Sequence, residues 1–229
     1  MEGAMTRRAR IVRLFAGAAL ASALALPAAC ASSAAPGGAA KPDSFSAASV
    51  LGSAAPSILD ELPKAEGAGK VLVVYFSGGN ASERVAEDLA ALFSADVERL
   101  REKKRRAKGF LGFMGAGMDA TFGFATRIEP PARDPAAYDR VFVLTPVWSW
   151  SLCPPVRTWL GMNEGKLPPA AFITVSGDTK PDKIAASMAR AGGRKPFAVA
   201  GFSERDFRPE NRGDYVERIR ALRDALPSP

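Results

Sequence analysis

The chain has 229 residues, 47% of them hydrophobic and 24% charged, which suits one ordinary globular domain and excludes wholesale disorder and a polytopic membrane protein. It contains no histidine, so Ser-His-Asp and Cys-His nucleophilic pairs are excluded along with the commonest metal ligand. The formal charge is +7, and Arg7, Arg8, Arg10 and Arg13 against Glu2 supply +3 of it, leaving a modestly basic remainder without a nucleic-acid signature.

Residues 1–13 are Arg-rich, residues 14–26 are a run of Ala, Leu, Gly, Ser and Phe, and small residues follow in Pro27-Ala28-Ala29-Cys30-Ala31. These are the three regions of a signal peptide. The apolar run has 13 residues, whereas a spanning helix needs about 20, so export is favoured over anchoring by a helix. Cys30 behind Ala28-Ala29 resembles a bacterial lipobox, with Pro27 where that motif usually has Leu; cleavage near Ala29 without lipidation is the alternative. Thr6-Arg7-Arg8 resembles part of a twin-arginine signal, with Arg10 where that motif is apolar; a plain Arg-rich leader is the other reading. Cys30 and Cys153 are the only cysteines; they are too few for a zinc site, and a disulfide between them is not expected. The domain boundaries expected are a leader over 1–30, an Ala/Ser/Gly/Pro-rich linker over 31–69 and a folded domain over 70–229. Within the linker, Ile58, Leu59 and Leu62 mark a short turn packed on the domain.

Residues 70–76, KVLVVYF, form a continuous apolar and β-branched run, the pattern of a strand buried on both faces of a parallel sheet. The loop Ser77-Gly78-Gly79-Asn80-Ala81-Ser82 follows, then a helical stripe from Glu83 through Val85, Leu89, Leu92 and Phe93. A short second strand is expected over 95–100. The run Arg101 to Lys108 is densely basic; it reads as a solvated loop, or as a contact for anionic lipid or an acidic redox partner. Residues 109–124 are rich in Phe, Met and Gly, and an added helix is expected over 113–121.

The third strand is expected over 140–144, with the loop Thr145-Pro146-Val147-Trp148-Ser149-Trp150 and a Pro-started helix over 154–160. A fourth strand over 170–175 ends in Ser176-Gly177-Asp178, before a helix over 181–191. A fifth strand over 195–202 and a helix over 215–226, with Val216, Ile219, Leu222 and Leu226 on its buried stripe, complete the pattern. Alternating strands and helices, joined by right-handed crossovers, predict a doubly wound α/β fold: a five-stranded parallel sheet with helices on both faces.

In such sheets ligands bind beyond the carboxyl ends of the strands. Three loops are expected to converge there. Ser77 and Ser82 offer hydroxyls, Gly78 and Gly79 permit close backbone approach, and the following helix N-terminus offers free N–H groups to a phosphate. Trp148 or Trp150 can cover one face of a flat ring, or pack on the neighbouring helix. Residues 176–178 would face the ring edge. Cys153 reads as a half-buried free thiol, the alternative being a redox thiol near the ligand.

Residues 70–202 resemble the flavodoxin family, in the branch with YxSxTGNT in its first loop and TPVW followed by PPVRTFL. The matching stretches are Tyr75 to Ser82 and Thr145-Pro146-Val147-Trp148 with Pro154-Pro155-Val156-Arg157-Thr158-Trp159-Leu160. In the first loop the family's Thr, Gly, Asn and Thr stand as Gly79, Asn80, Ala81 and Ser82. The resemblance implies strand order 2-1-3-4-5 and FMN as cofactor, held by Ser77 to Ser82, Thr145 to Trp150 and Ser176 to Asp178. It implies electron transfer with an unidentified redox partner, carried by the flavin, so that no side chain need be catalytic. With the leader, this places the protein outside the cytoplasm, periplasmic or held at a membrane surface through Cys30. The alternatives are an NAD(P)H-dependent FMN quinone reductase and a flavodoxin-fold binding module that has lost FMN.

Overall fold

The computed structural model describes residues 56–77, 79–103, 123–177 and 179–227. Within them the elements are α1 (Ile58–Glu61), β1 (Val71–Tyr75), α2 (Asn80–Phe93), β2 (Asp96–Arg99) and β3 (Arg140–Trp148). Then come β4 (Ser151–Leu152), α3 (Pro154–Met162), β5 (Ala170–Val175), α4 (Pro181–Gly192), β6 (Ala198–Phe202) and α5 (Arg212–Asp224). The main sheet runs β2-β1-β3-β5-β6, all parallel, with β4 paired antiparallel to the end of β3. Leaving aside that small hairpin, this is the order 2-1-3-4-5.

Each central strand is buried on both faces, and its alternate side chains feed two separate cores. Val71, Val73 and Tyr75 meet α2 through Val85, Leu89 and Leu92, and α5 through Tyr215, Ile219 and Leu222 lies on that same face. Leu72 and Val74 face the other way, toward α3 with Val156 and Trp159 and α4 with Ile184 and Met188. Helices therefore cover both faces, as right-handed crossovers require. The Tyr215 hydroxyl donates to Asp88 at 2.6 Å, tying α5 to α2. Burial holds the Asp88 carboxyl above its usual range, and the tyrosine hydrogen bond partly offsets that rise.

Part of the stretch expected as linker is packed. Ser57 and Asp60 form a capping box at α1, and Ile58 and Leu62 are buried in the α2 and α5 core. Arg140, itself buried, donates to the carbonyls of Ala68 and Pro227 and so joins this stretch to the chain's end. The leader, Cys30, residues 104–122, Gly78 and Asp178 lie outside the described residues, and with them the helix expected over 113–121 and most of the basic run.

The third strand departs from expectation. It continues past Leu144 through Trp148 and turns back through Ser149 and Trp150, both left-handed at φ 46° and 56°, into β4. Two consecutive left-handed residues are the signature of the tight hairpin turn that matches strand twist. Pro146 is tolerated because β1 has already ended opposite Leu144, so its missing N–H leaves no ladder partner unpaired on that side.

Candidate functional site

The carboxyl ends of β1, β3, β5 and β6 open into one cleft of about 610 Å³. Gly79, Ala81 and Ser82 form one wall, Pro146, Val147 and Trp148 another, and Val175, Ser176 and Gly177 a third. A second cleft of about 630 Å³, lined by Lys64, Arg140, Arg223 and Leu226 among others, lies at the opposite ends of the strands. Volume does not separate the two. The first sits where doubly wound sheets place their ligands, beyond the strands' carboxyl ends.

The first wall is the start of α2. Gly79 caps the helix without a side-chain hydrogen bond, so the N–H groups of the first turn face the cleft region with the positive end of the helix dipole. The Ser77 hydroxyl donates to the Gly79 carbonyl at 2.7 Å, which folds the loop upon itself and spends that hydroxyl. Ser82, in the first turn of α2, lines the cleft and is only 3% exposed. Glu83, one residue further, is turned aside by Arg99 at 3.1 Å and the Tyr75 hydroxyl at 3.5 Å. Desolvation pushes the Tyr75 phenol up to about 12, against the lowering influence of Arg99.

Trp148 is half-buried, its ring edge-on to Phe76 with centroids 5.6 Å apart, and it lines the cleft. Trp150, at the hairpin tip, is 66% exposed and does not line it. On the third wall Ser176 donates its hydroxyl to the Thr179 carbonyl at 3.2 Å, and its N–H to the Phe202 carbonyl at 2.8 Å. A Cβ added at Gly79 or at Gly177 would meet no atom within 4 Å, so both walls have open space before them.

Of the residues expected at the site, the structure gathers Gly79, Ala81, Ser82, Pro146, Val147, Trp148, Ser176 and Gly177. Ser77, Asn80, Ser149 and Trp150 sit in the same loops without lining the cleft. Thr145 lies elsewhere. It is fully buried on the α3 side, and its hydroxyl donates to the Pro146 carbonyl at 2.9 Å and approaches the Cys153 sulfur at 3.2 Å. Cys153 is fully buried, more than the half-burial expected, and desolvation pushes its thiol up to about 12 despite the Thr145 hydroxyl and the Val156 N–H. Burial of this kind disfavours the thiolate that redox chemistry needs.

The fourth wall was not anticipated. Residues Ser203, Glu204, Arg205 and Arg208, in the turns that follow β6, complete the cleft. The rule that ligands sit beyond strand ends applied equally to this loop, and its two arginines three positions apart were the signal available. Among the described residues no cluster of His, Cys, Asp or Glu is arranged to hold a metal ion.

No protein-family model matches the sequence, and no curated protein matches it. Solved structures do. A flavoprotein from Lactobacillus acidophilus, solved in complex with FMN, is 15% identical with a TM-score of 0.52, over 60% of this chain and 95% of its own. The chain has a flavodoxin-like fold. A protein from Bacteroides eggerthii assigned as a flavoprotein agrees, at 19% identity and a TM-score of 0.51, over 69% of this chain and 98% of that one. Identities this low speak for the flavodoxin-like fold alone.

Proposed function

We propose that the cleft holds FMN non-covalently and that the protein serves electron transfer outside the cytoplasm. The observation that carries this reading is the convergence of an uncapped helix start, an indole wall and a glycine-containing loop on one cleft. Its volume lies within the roughly 300–1,000 Å³ of small-molecule sites. The residues present fit the cofactor: Ser82 and the first turn of α2 suit its phosphate, Trp148 suits one ring face, and the space before Gly177 admits the ring edge. Bound FMN would supply the redox chemistry. The chain's own part is to bind the phosphate, orient the ring and keep water from the face that Trp148 covers.

Export and lipidation at Cys30 are part of the proposal and rest on the composition of residues 1–30. Among the described residues no helix is long and apolar enough to cross a membrane. Fractionation of cells expressing the full chain is expected to place it in the envelope, and Cys30→Ser is expected to release it from membranes. An unchanged cytoplasmic pool would remove the extracytoplasmic claim.

Titrating FMN with the purified protein is expected to quench flavin fluorescence saturably. A specific observation favours the second reading, a module that has lost FMN: Gly79, Asn80 and Ala81 replace three residues of the flavodoxin loop. The combined change Gly79→Thr, Asn80→Gly and Ala81→Asn decides between them. Gly79 has φ 179°, ordinary extended backbone, and open space at its Cβ, so Thr fits without strain. A regained hydrogen bond to a charged phosphate is worth about 1.5–3 kcal/mol, so FMN affinity is expected to rise about 10- to 100-fold. No rise would mean that loop erosion does not limit binding.

A further inference from the structure

The fourth wall of the cleft carries an unspent charge. Arg205 and Arg208 both line it, and neither side chain has an ion pair or hydrogen bond among the described residues. The arginines of α5 nearest them are engaged: Arg212 with Glu61 at 2.7 Å, and Arg218 with Asp206. Asp206, which lies between them in sequence, also receives the Ser203 N–H at 2.7 Å as part of its capping box, so it is occupied twice over. That arrangement fixes the turn and leaves the two neighbouring guanidinium groups without a counter-ion.

The turn that carries these arginines packs beside α2. Arg84, in the first turns of that helix, lies 5.6 Å over the Phe207 ring, so the helix and the arginine-bearing turn brace one another directly. Ser82, in the first turn of α2, lines the same cleft. The helix dipole and two cations thus converge on one cleft, and such convergence selects a compact, doubly charged anion. Glu204 lines the same cleft and cancels one positive charge, leaving a net +1 from this wall.

We infer that Arg205 and Arg208 are the charged half of an anion subsite, shared with the start of α2, that takes a phosphate monoester. The inference rests on the FMN reading for the identity of the rest of the ligand, and on the geometry above for the anion. The first loop lacks side-chain donors at Gly79 and Ala81, and the arginines supply from the neighbouring wall the charge neutralisation that the loop does not. Phosphate recognition is divided between two neighbouring loops.

The test compares the intact protein with the double variant Arg205→Gln, Arg208→Gln. Both side chains are exposed, so the variant is expected to fold, with thermal unfolding as the control. FMN and riboflavin are titrated separately. The wild type is expected to prefer FMN, and the variant to lose about 10-fold or more in FMN affinity with riboflavin binding unchanged. Raising salt is expected to weaken FMN binding to the wild type more than to the variant. Glu204→Gln is expected to strengthen FMN binding. Unchanged FMN affinity in the double variant, or an equal loss for both flavins, overturns the subsite.

Should the wild type bind neither flavin, the FMN reading fails and inorganic phosphate becomes the probe. The subsite then predicts that phosphate raises the unfolding temperature of the wild type and not of the double variant. An equal response in both proteins, or none in either, overturns it.

Discussion

Folded protein treated with iodoacetamide at pH 8 is expected to leave Cys153 unmodified, whereas denatured protein reacts at once; mass analysis of the peptide carrying Cys153 reads the difference. The thiol is fully buried among Leu152, Val156 and Trp159, and desolvation raises it from its ordinary value near 8.5 to about 12. At pH 8 that shift lowers the thiolate population by about 10³-fold, before any barrier to entry. The consequence for stability has a definite sign. A thiol whose folded value is raised contributes stability that is present below its unfolded value and is lost as pH rises toward about 12. Stability is therefore expected to decline above about pH 8.5 through this group, and Cys153→Ala to show less of that decline. Rapid labelling of the folded protein would place the sulfur in an exposed, reactive setting and reopen a redox role.

Trp159→Ala is expected to cost about 3–5 kcal/mol of folding stability, a large part of the roughly 5–15 kcal/mol that holds a domain together. The indole is fully buried at the centre of the core beneath α3 and α4, where the surrounding strands cannot close over the space it would leave. In a chain of this size that loss lowers the melting temperature by about 6–20 °C. Its Nε1 has no hydrogen-bond partner among the described residues, so Trp159→Phe is expected to cost much less. Chemical denaturation of both variants checks the pair. A loss below about 1.5 kcal/mol for alanine would mean that α3 repacks freely against the sheet.

The contrast between Trp159 and Trp148 shows what could be read before the fold was seen. Both occur in one motif-bearing stretch, and only burial separates a core indole from a cleft indole. The strand starting at Val71 was legible because a run buried on both faces has no polar alternation to confuse it. The helix beginning at Asn80 was legible from its apolar stripe, although the loop composition placed its start three residues late. Residues 145–148 read as loop because threonine and proline followed an apolar run. In the structure they remain in β3, held by β5 on one side and folded onto β4.

Thr145 was drawn toward the site by its place in the motif, yet alternation along β3 turns its side chain into the α3 core. The register of a strand decides this, and sequence alone left it open by one residue. Arg205 and Arg208 are not legible in the sequence for a different reason. Exposed charges in an irregular turn carry no periodicity, and their role arises only when the sheet brings the loop after β6 against the start of α2.

Amide chemical-shift mapping of the labelled protein on addition of FMN tests FMN binding in this cleft most directly. Shifts are expected to concentrate on residues 79–82, 146–148, 175–177 and 203–208, the four loops at the carboxyl ends of the strands. Shifts confined to the opposite cleft, around Lys64, Arg140 and Leu226, or no shifts at saturating FMN, would contradict it.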